Sequence, residues 1–232
     1  MIKHLNSLFF VVFALEIVAE VLRAEWLIFI VKPAVTSLLI YLYKKEAQAF
    51  KSPFANAVYY GLLFSLGGDI LLMFPRFNPN FFLLGLGSFL IAHICYIVAF
   101  VGNIRATKVS NSFTLKAMAF NPFLLLTLSM FGIIKNHLGE MQIPVIAYMI
   151  AITTMGISAT LRINHTSSKS WKLIFAGAFL FTISDSLIAL NKFVVAFPKA
   201  PVAIMITYYL AQYLIVTGAL EHLRQEKKSV NL

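Results

Sequence analysis

Eight runs of mostly apolar residues, joined by short polar turns, fill this sequence from end to end. They cover roughly 5–22, 26–43, 55–74, 81–101, 117–134, 141–160, 171–190 and 201–220. A helix needs about 20 such residues to cross the hydrocarbon core of a bilayer. Inside lipid, backbone N–H and C=O groups must be satisfied within the chain itself, so runs of this length are helices. The sequence therefore predicts an all-α membrane bundle of eight transmembrane helices, with residues 1–232 forming a single integral membrane domain. Hydrophobic residues make up 60% of the chain and charged residues 12%, against about 45–50% and about 25% in soluble domains. This composition excludes a disordered chain, a nucleic-acid module and an ordinary soluble enzyme. Glu16 and Glu20 interrupt the first run and no cleavage pattern follows, so that run is read as a helix and not a leader. Trp26 and Trp171 each open a span, where interfacial anchors belong. The one cysteine, Cys95, lies in an apolar run, is expected to be buried packing, and permits no disulfide framework.

The net charge of +10 would suggest a polyanionic partner on a soluble protein. On a polytopic membrane protein it marks cytosolic loops instead. With eight spans, Lys3, Lys44, Lys45, Lys51, Arg105, Lys108, Lys116, Arg162, Lys169, Lys172, Arg224, Lys227 and Lys228 share one side, a total of 13. Arg23, Arg76, Lys135, Lys192 and Lys199 give 5 on the other, and Lys32 lies within a span. The asymmetry places both termini in the cytosol. The expected partners are the bilayer and a lipid, not a nucleic acid.

Five ionisable residues fall within the spans: Glu16, Glu20, Lys32, Asp69 and Asp185. A charge facing lipid is costly, so such groups turn to a bundle interior or a wet cavity. The only two aspartates of the chain are both in this set, and their surroundings match. GLLFSLGGDILLMFPRF at 61–77 aligns with GAFLFTISDSLIALNKF at 177–193, with Gly61, Asp69, Leu71 and Phe77 meeting Gly177, Asp185, Leu187 and Phe193. Arg76 aligns with Lys192. The offset of 116 residues is half the chain and spans four helices, an even number, so halves 1–116 and 117–232 would be parallel repeats.

Helical periodicity puts Gly61, Ser65, Gly68, Asp69 and Leu72 on one face, and Gly85, Phe89, Ala92, His93 and Tyr96 on another. Gly177, Ser184 and Asp185 form the matching face of the seventh helix. Small residues beside a polar one permit close helix approach, so these faces point inward. Tyr208, Tyr209, Gln212 and Tyr213 make a polar stretch in the last span. The topology sets Asp69, Asp185, Lys32 and Glu20 in the non-cytosolic half, where one polar cavity would gather them. With Glu16, one turn from Glu20 on the first helix, the cluster has four carboxylates; four bare anions cannot share such a cavity with a single cation, so some are protonated or a cation is present. A protonated carboxyl is a general acid and a second carboxylate its complementary base. The bland alternative ties Lys32 to Asp69 or a glutamate and leaves the rest as buried hydrogen-bonding groups. His93 alone cannot build a three-histidine zinc site, and a carboxylate-rich cation site ranks below acid–base chemistry. No metal or cofactor is expected.

At these residues the chain resembles the YhhN family of membrane proteins, which includes the lysoplasmalogenases. The matching pieces are Lys32-Pro33; Gly68-Asp69-Ile70-Leu71-Leu72-Met73; Gly85 to Tyr96 with His93; Gly177-Ala178 followed by Ser184-Asp185; and Tyr208-Tyr209 with Gln212. The resemblance implies hydrolysis of the vinyl-ether bond of a lysoplasmalogen to a fatty aldehyde and a glycerophospho-head group. That reaction needs a proton on an alkene carbon, then water on the resulting oxocarbenium ion, and no acyl-enzyme nucleophile. Asp69 and Asp185 are the expected catalytic pair, either one serving as the acid. Lys32 would orient an aspartate or hold the lipid phosphate. His93, Tyr96, Tyr209 and Gln212 would place water or the head group, with Glu20 in support. A proton-coupled transporter or lipid permease is the rival reading of the same carboxylates.

Overall fold

The computed structural model describes residues 2–48, 50, 52–75, 77–107 and 109–230. It is all-α, and each apolar run of the sequence falls on one helix: α1 (Ile2–Leu22), α2 (Glu25–Ala47), α3 (Pro53–Leu71), α4 (Asn80–Ala106), α5 (Phe113–Ile134), α6 (Gln142–Leu161), α7 (Ser168–Ala189) and α8 (Ala200–Val230). Two short 3₁₀ turns, Lys135–His137 and Gly139–Met141, lead into α6. A π-helical turn, Leu190–Val194, ends α7. Among the described residues, five helices are long and apolar enough to cross a membrane, namely α2, α4, α6, α7 and α8 with their immediate extensions. Large apolar side chains such as Val11, Ile30, Leu125, Ile143 and Ile150 stand exposed on the bundle's flanks, as a lipid-facing surface requires. The protein is an integral, multi-pass membrane protein. Lys51, Arg76 and Lys108, three of the charges counted above, lie outside the described residues.

Local chemistry explains several boundaries. Pro53 opens α3 directly after an extended Ser52, because a first-turn N–H has no helical partner to lose. Ser167 caps α7 by accepting the Ser170 N–H at 3.1 Å. Trp171 is more than the interfacial anchor expected: its indole Nε1–H donates to the Thr160 carbonyl at 2.9 Å and ties α7 to the end of α6. Trp26, by contrast, stands exposed at the start of α2. Cys95 is only half-buried, a correction to the buried packing role expected of it. It occupies α4 between the buried His93 and Tyr96, turned off the face that those two share.

The most extensive helix pairs are α3 with α4 and α7 with α8. Glycines set their spacing. A β-carbon on Gly177 would meet the Ala211 carbonyl oxygen at 2.8 Å, and one on Gly61 would fall 2.5 Å from the Tyr96 ring. Both contacts let a helix lie directly against its partner. Across the bundle, α2 touches α8 and α4 touches α6.

At one end, hereafter the mouth, the α1–α2, α3–α4 and α7–α8 connections gather round an open hollow. At the other end Arg162 is fully buried and acts as a clasp. Its Nε donates to Asn103 on α4 at 2.8 Å and its Nη2 to Ser170 on α7 at 3.3 Å. Its guanidinium lies over the rings of Phe54 and Phe100, and the Ser170 hydroxyl passes the tie on to the Gly218 carbonyl of α8 at 2.8 Å.

Substituting Gly177→Ala should lower stability by about 1–3 kcal/mol, because backbone atoms cannot move aside. Gly87→Ala, where nothing lies within 4 Å, should leave it unchanged or higher, since alanine favours helix. Thermal melting of the two variants in detergent checks the contrast; equal midpoints would refute the close-packing account.

Candidate active site

Asp69 sits on the inner face of α3, buried to 2% exposure. Its Oδ2 accepts two hydroxyls, Thr36 of α2 at 2.5 Å and Tyr208 of α8 at 2.9 Å. Thr36 lies one helical turn after Lys32, so both project from one face of α2. Pro33 removes a backbone donor at this point in α2. The Lys32 carbonyl there accepts the Tyr209 hydroxyl at 3.1 Å.

Asp185 sits on the matching face of α7, its side chain 11% exposed. Its Oδ2 accepts the Tyr148 hydroxyl of α6 at 2.5 Å, and His93 Nε2 of α4 lies 3.3 Å away. Nε2 is also 2.9 Å from the Tyr148 oxygen. Tyr148 gives its single proton to Asp185, and His93 Nε2 stands between the phenol oxygen and the carboxylate, its role as donor or acceptor set by the ring tautomer. Met155 Sδ faces the other ring nitrogen at 3.3 Å.

Both aspartates line one narrow chamber, of about 270 Å³ of empty space, together with Lys32, Ser184, Phe89 and Tyr208. Two larger spaces adjoin it. The hollow at the mouth, about 1200 Å³, carries Glu20, Glu25, Lys32, Asn191 and Lys192 and shares Leu72, Ile188, Ile204 and Met205 with the chamber. A pocket of about 680 Å³ between α4, α5, α6 and α7 is apolar apart from a few hydroxyls and Asp185, and shares Leu72, Phe89, Asp185 and Ile188 with the chamber. The carboxylic chamber thus borders a charged space and an apolar one, which also share Leu72, Phe82 and Ile188 with each other. Two carboxyl groups, each held by hydroxyl donors in a water-poor chamber beside an ammonium, are suited to move protons.

The residues singled out in the sequence divide into three groups. Asp69, Asp185 and Lys32 reach the chamber. His93 and Tyr209 stand behind it, bonded to Asp185 and to the Lys32 backbone. Tyr96 and Gln212 lie deeper still: Tyr96 donates to Gln212 Oε1 at 2.8 Å, and Gln212 Nε2 donates to the Tyr208 hydroxyl at 3.4 Å. They reach Asp69 only through Tyr208. Glu20 lines the outer hollow. Lys32 is close enough for its charge to act on Glu16, Glu20 and Asp69 together. Sequence reasoning passed over Thr36 and Tyr148 and gave Tyr208 no role of its own. Thr36 was signalled by its one-turn spacing from Lys32. Tyr148 carried no signal in the sequence. Glu16 is fully buried with neither carboxyl oxygen hydrogen-bonded.

Fold and site together define a polytopic α-helical membrane protein built round a buried pair of aspartates. The chain belongs to the YhhN family, whose model matches residues 27–219. Among curated relatives, the lysoplasmalogenase of Mycobacterium tuberculosis is 31% identical over 159 residues, 68% of this chain and 58% of that protein. Mouse lysoplasmalogenase TMEM86B is 32% identical over 162 residues, covering 69% and 62%. Human lysoplasmalogenase TMEM86A is 30% identical over 172 residues, covering 73% and 67%. The chain thus spans about 58–62% of the length of the mycobacterial and mouse relatives. No solved structure matches it.

The buried line from Tyr96 through Gln212 to Tyr208 should show in coupled stability. Tyr96→Phe leaves the Gln212 carbonyl unpaired and should cost about 1–3 kcal/mol. Adding Gln212→Leu should cost less than the sum of the single changes. Detergent melts of the four-variant cycle decide it, and strict additivity would show that the two side chains do not interact.

Proposed function

We propose that this protein is a membrane-embedded hydrolase that cleaves the vinyl-ether bond of lysoplasmalogens. The products are a fatty aldehyde and a glycerophospho-head group, and Asp69 and Asp185 are the acid–base pair. The observation that carries the reading is the position of both aspartates in one chamber, between a charged hollow and an apolar pocket. A lysolipid has that same order of parts: charged head, ether linkage, apolar tail. The relatives' names supply the bond. Lys32 and Lys192 face the hollow where a phosphate would lie. His93 and Tyr148 hold Asp185, and Thr36 and Tyr208 hold Asp69; Tyr96, Tyr209 and Gln212 brace those holders.

In this reading all eight helices cross the membrane as one domain, both termini are cytosolic, and the mouth faces the opposite side. The halves 1–116 and 117–232 are parallel repeats. Three features support the repeat. Tyr96 and Gln212, which pair directly, are themselves 116 residues apart. The contact of α2 with α8 is echoed by that of α4 with α6. Asp69 takes its donors from α2 and α8, and Asp185 takes its own from the equivalent α6 and α4.

The purified protein should release aldehyde from a 1-alkenyl lysophospholipid in detergent, where no gradient exists to drive a carrier. Asp69→Asn and Asp185→Asn should each cut turnover by about 100-fold or more while eluting and melting as folded protein. No aldehyde from the unaltered protein, or near-normal turnover in both variants, would overturn the proposal.

A further inference from the structure

The two aspartates are held alike but placed differently. Asp185 lines both the chamber and the apolar pocket, whereas Asp69 lines the chamber alone. Lys32 lines the chamber and the charged hollow, and its charge acts on Asp69. A lipid threaded through the chamber, with its head in the hollow and its tail in the apolar pocket, has Asp185 on its tail side. In a vinyl ether the carbon that must be protonated, C2, lies on the tail side. The carbon that becomes the cation, C1, lies on the head side, bonded to the ether oxygen.

Resting on the hydrolase reading above, we infer that Asp185 is the proton donor to C2 and that Asp69 is the carboxylate that steadies C1 and activates water. The Asp185 carboxyl gives its proton to C2, the alkene electron pair forms the new C–H bond, and C1 becomes an oxocarbenium ion. Water entering from the hollow adds to C1 as Asp69 takes one of its protons, which gives the hemiacetal. The hemiacetal hydroxyl then returns a proton to Asp185. The bond from C1 to the ether oxygen breaks, and that oxygen keeps the pair and takes the proton held by Asp69. Aldehyde and alcohol leave, and both aspartates regain their starting states. Tyr148 and His93 both meet Asp185 at Oδ2, which leaves Oδ1 as the oxygen turned to C2. The apolar wall at this point keeps competing water from C2, while Asp69 lies on the side of the chamber that Lys32 and the hollow border.

Azide separates the two roles, because near neutral pH it is a good nucleophile and a poor acid. It should restore substrate consumption by Asp69→Ala about tenfold or more, yielding an α-azido ether, and should leave Asp185→Ala inactive. Rescue of Asp185→Ala, or of neither variant, overturns the assignment. A second measurement uses the unaltered protein. A lysolipid with a photoreactive diazirine in the alkenyl tail, a few carbons beyond C2, should label the α5–α6 wall at Met130 or Met149. Labelling at Lys192 or elsewhere in the hollow overturns the pose. An unaltered protein that releases no aldehyde refutes the hydrolase reading itself, independently of either result.

Discussion

A carboxyl group taken out of water must find hydrogen-bond donors, or its desolvation costs several kcal/mol. In this bundle that requirement falls on Asp69 and Asp185, and neither can meet it from its own helix. Asp69 on α3 draws a hydroxyl from α2 and another from α8. Asp185 on α7 draws on α6 and α4. Six helices therefore have to converge at one depth for both groups to be satisfied. The glycines of α3 and α7 let the bundle close that tightly, because a β-carbon on Gly61 or Gly177 would hold the partner helix away.

The two ends of the bundle do different work. At one end Arg162 gathers α3, α4, α7 and α8 through hydrogen bonds and ring contacts. At the mouth the connections stand apart and admit solvent to Lys32 and its acidic neighbours. The mouth is thus the side from which solvent reaches Lys32 and the edge of the chamber. The π-helical turn at Leu190–Val194 ends α7 beside this opening and carries Lys192 into it. Such turns recur where a helix must re-aim side chains near a functional site.

Much of this was legible in the residues themselves. The helices were readable because an apolar run of bilayer length has one low-energy backbone solution. The inward faces of α3, α4 and α7 followed from helical periodicity, and the aspartates stood out because charge is rare and costly in such runs. The hydroxyl partners were not legible in this way. Threonine and tyrosine are common in apolar helices, so Tyr148 carries no mark until a carboxylate is seen beside it, and Thr36 carries only its one-turn spacing from Lys32. Tyr96 and Gln212 were read as groups near the reacting atoms but stand behind Tyr208. Periodicity names the face of a helix, not the depth of a side chain within the bundle.

The sequence by itself determined the number of helices, the apolar exterior and the identity of the scarce charges, because each follows from the transfer of a residue or a backbone from water to lipid. Only the tertiary structure decided which helices meet, that the two aspartates share a single chamber, and that Asp185 alone also borders the apolar pocket. Those facts depend on contacts between residues as far apart in the chain as Lys32 and Tyr209, 177 positions. Local preferences do not encode such contacts; they arise when whole helix faces pack together.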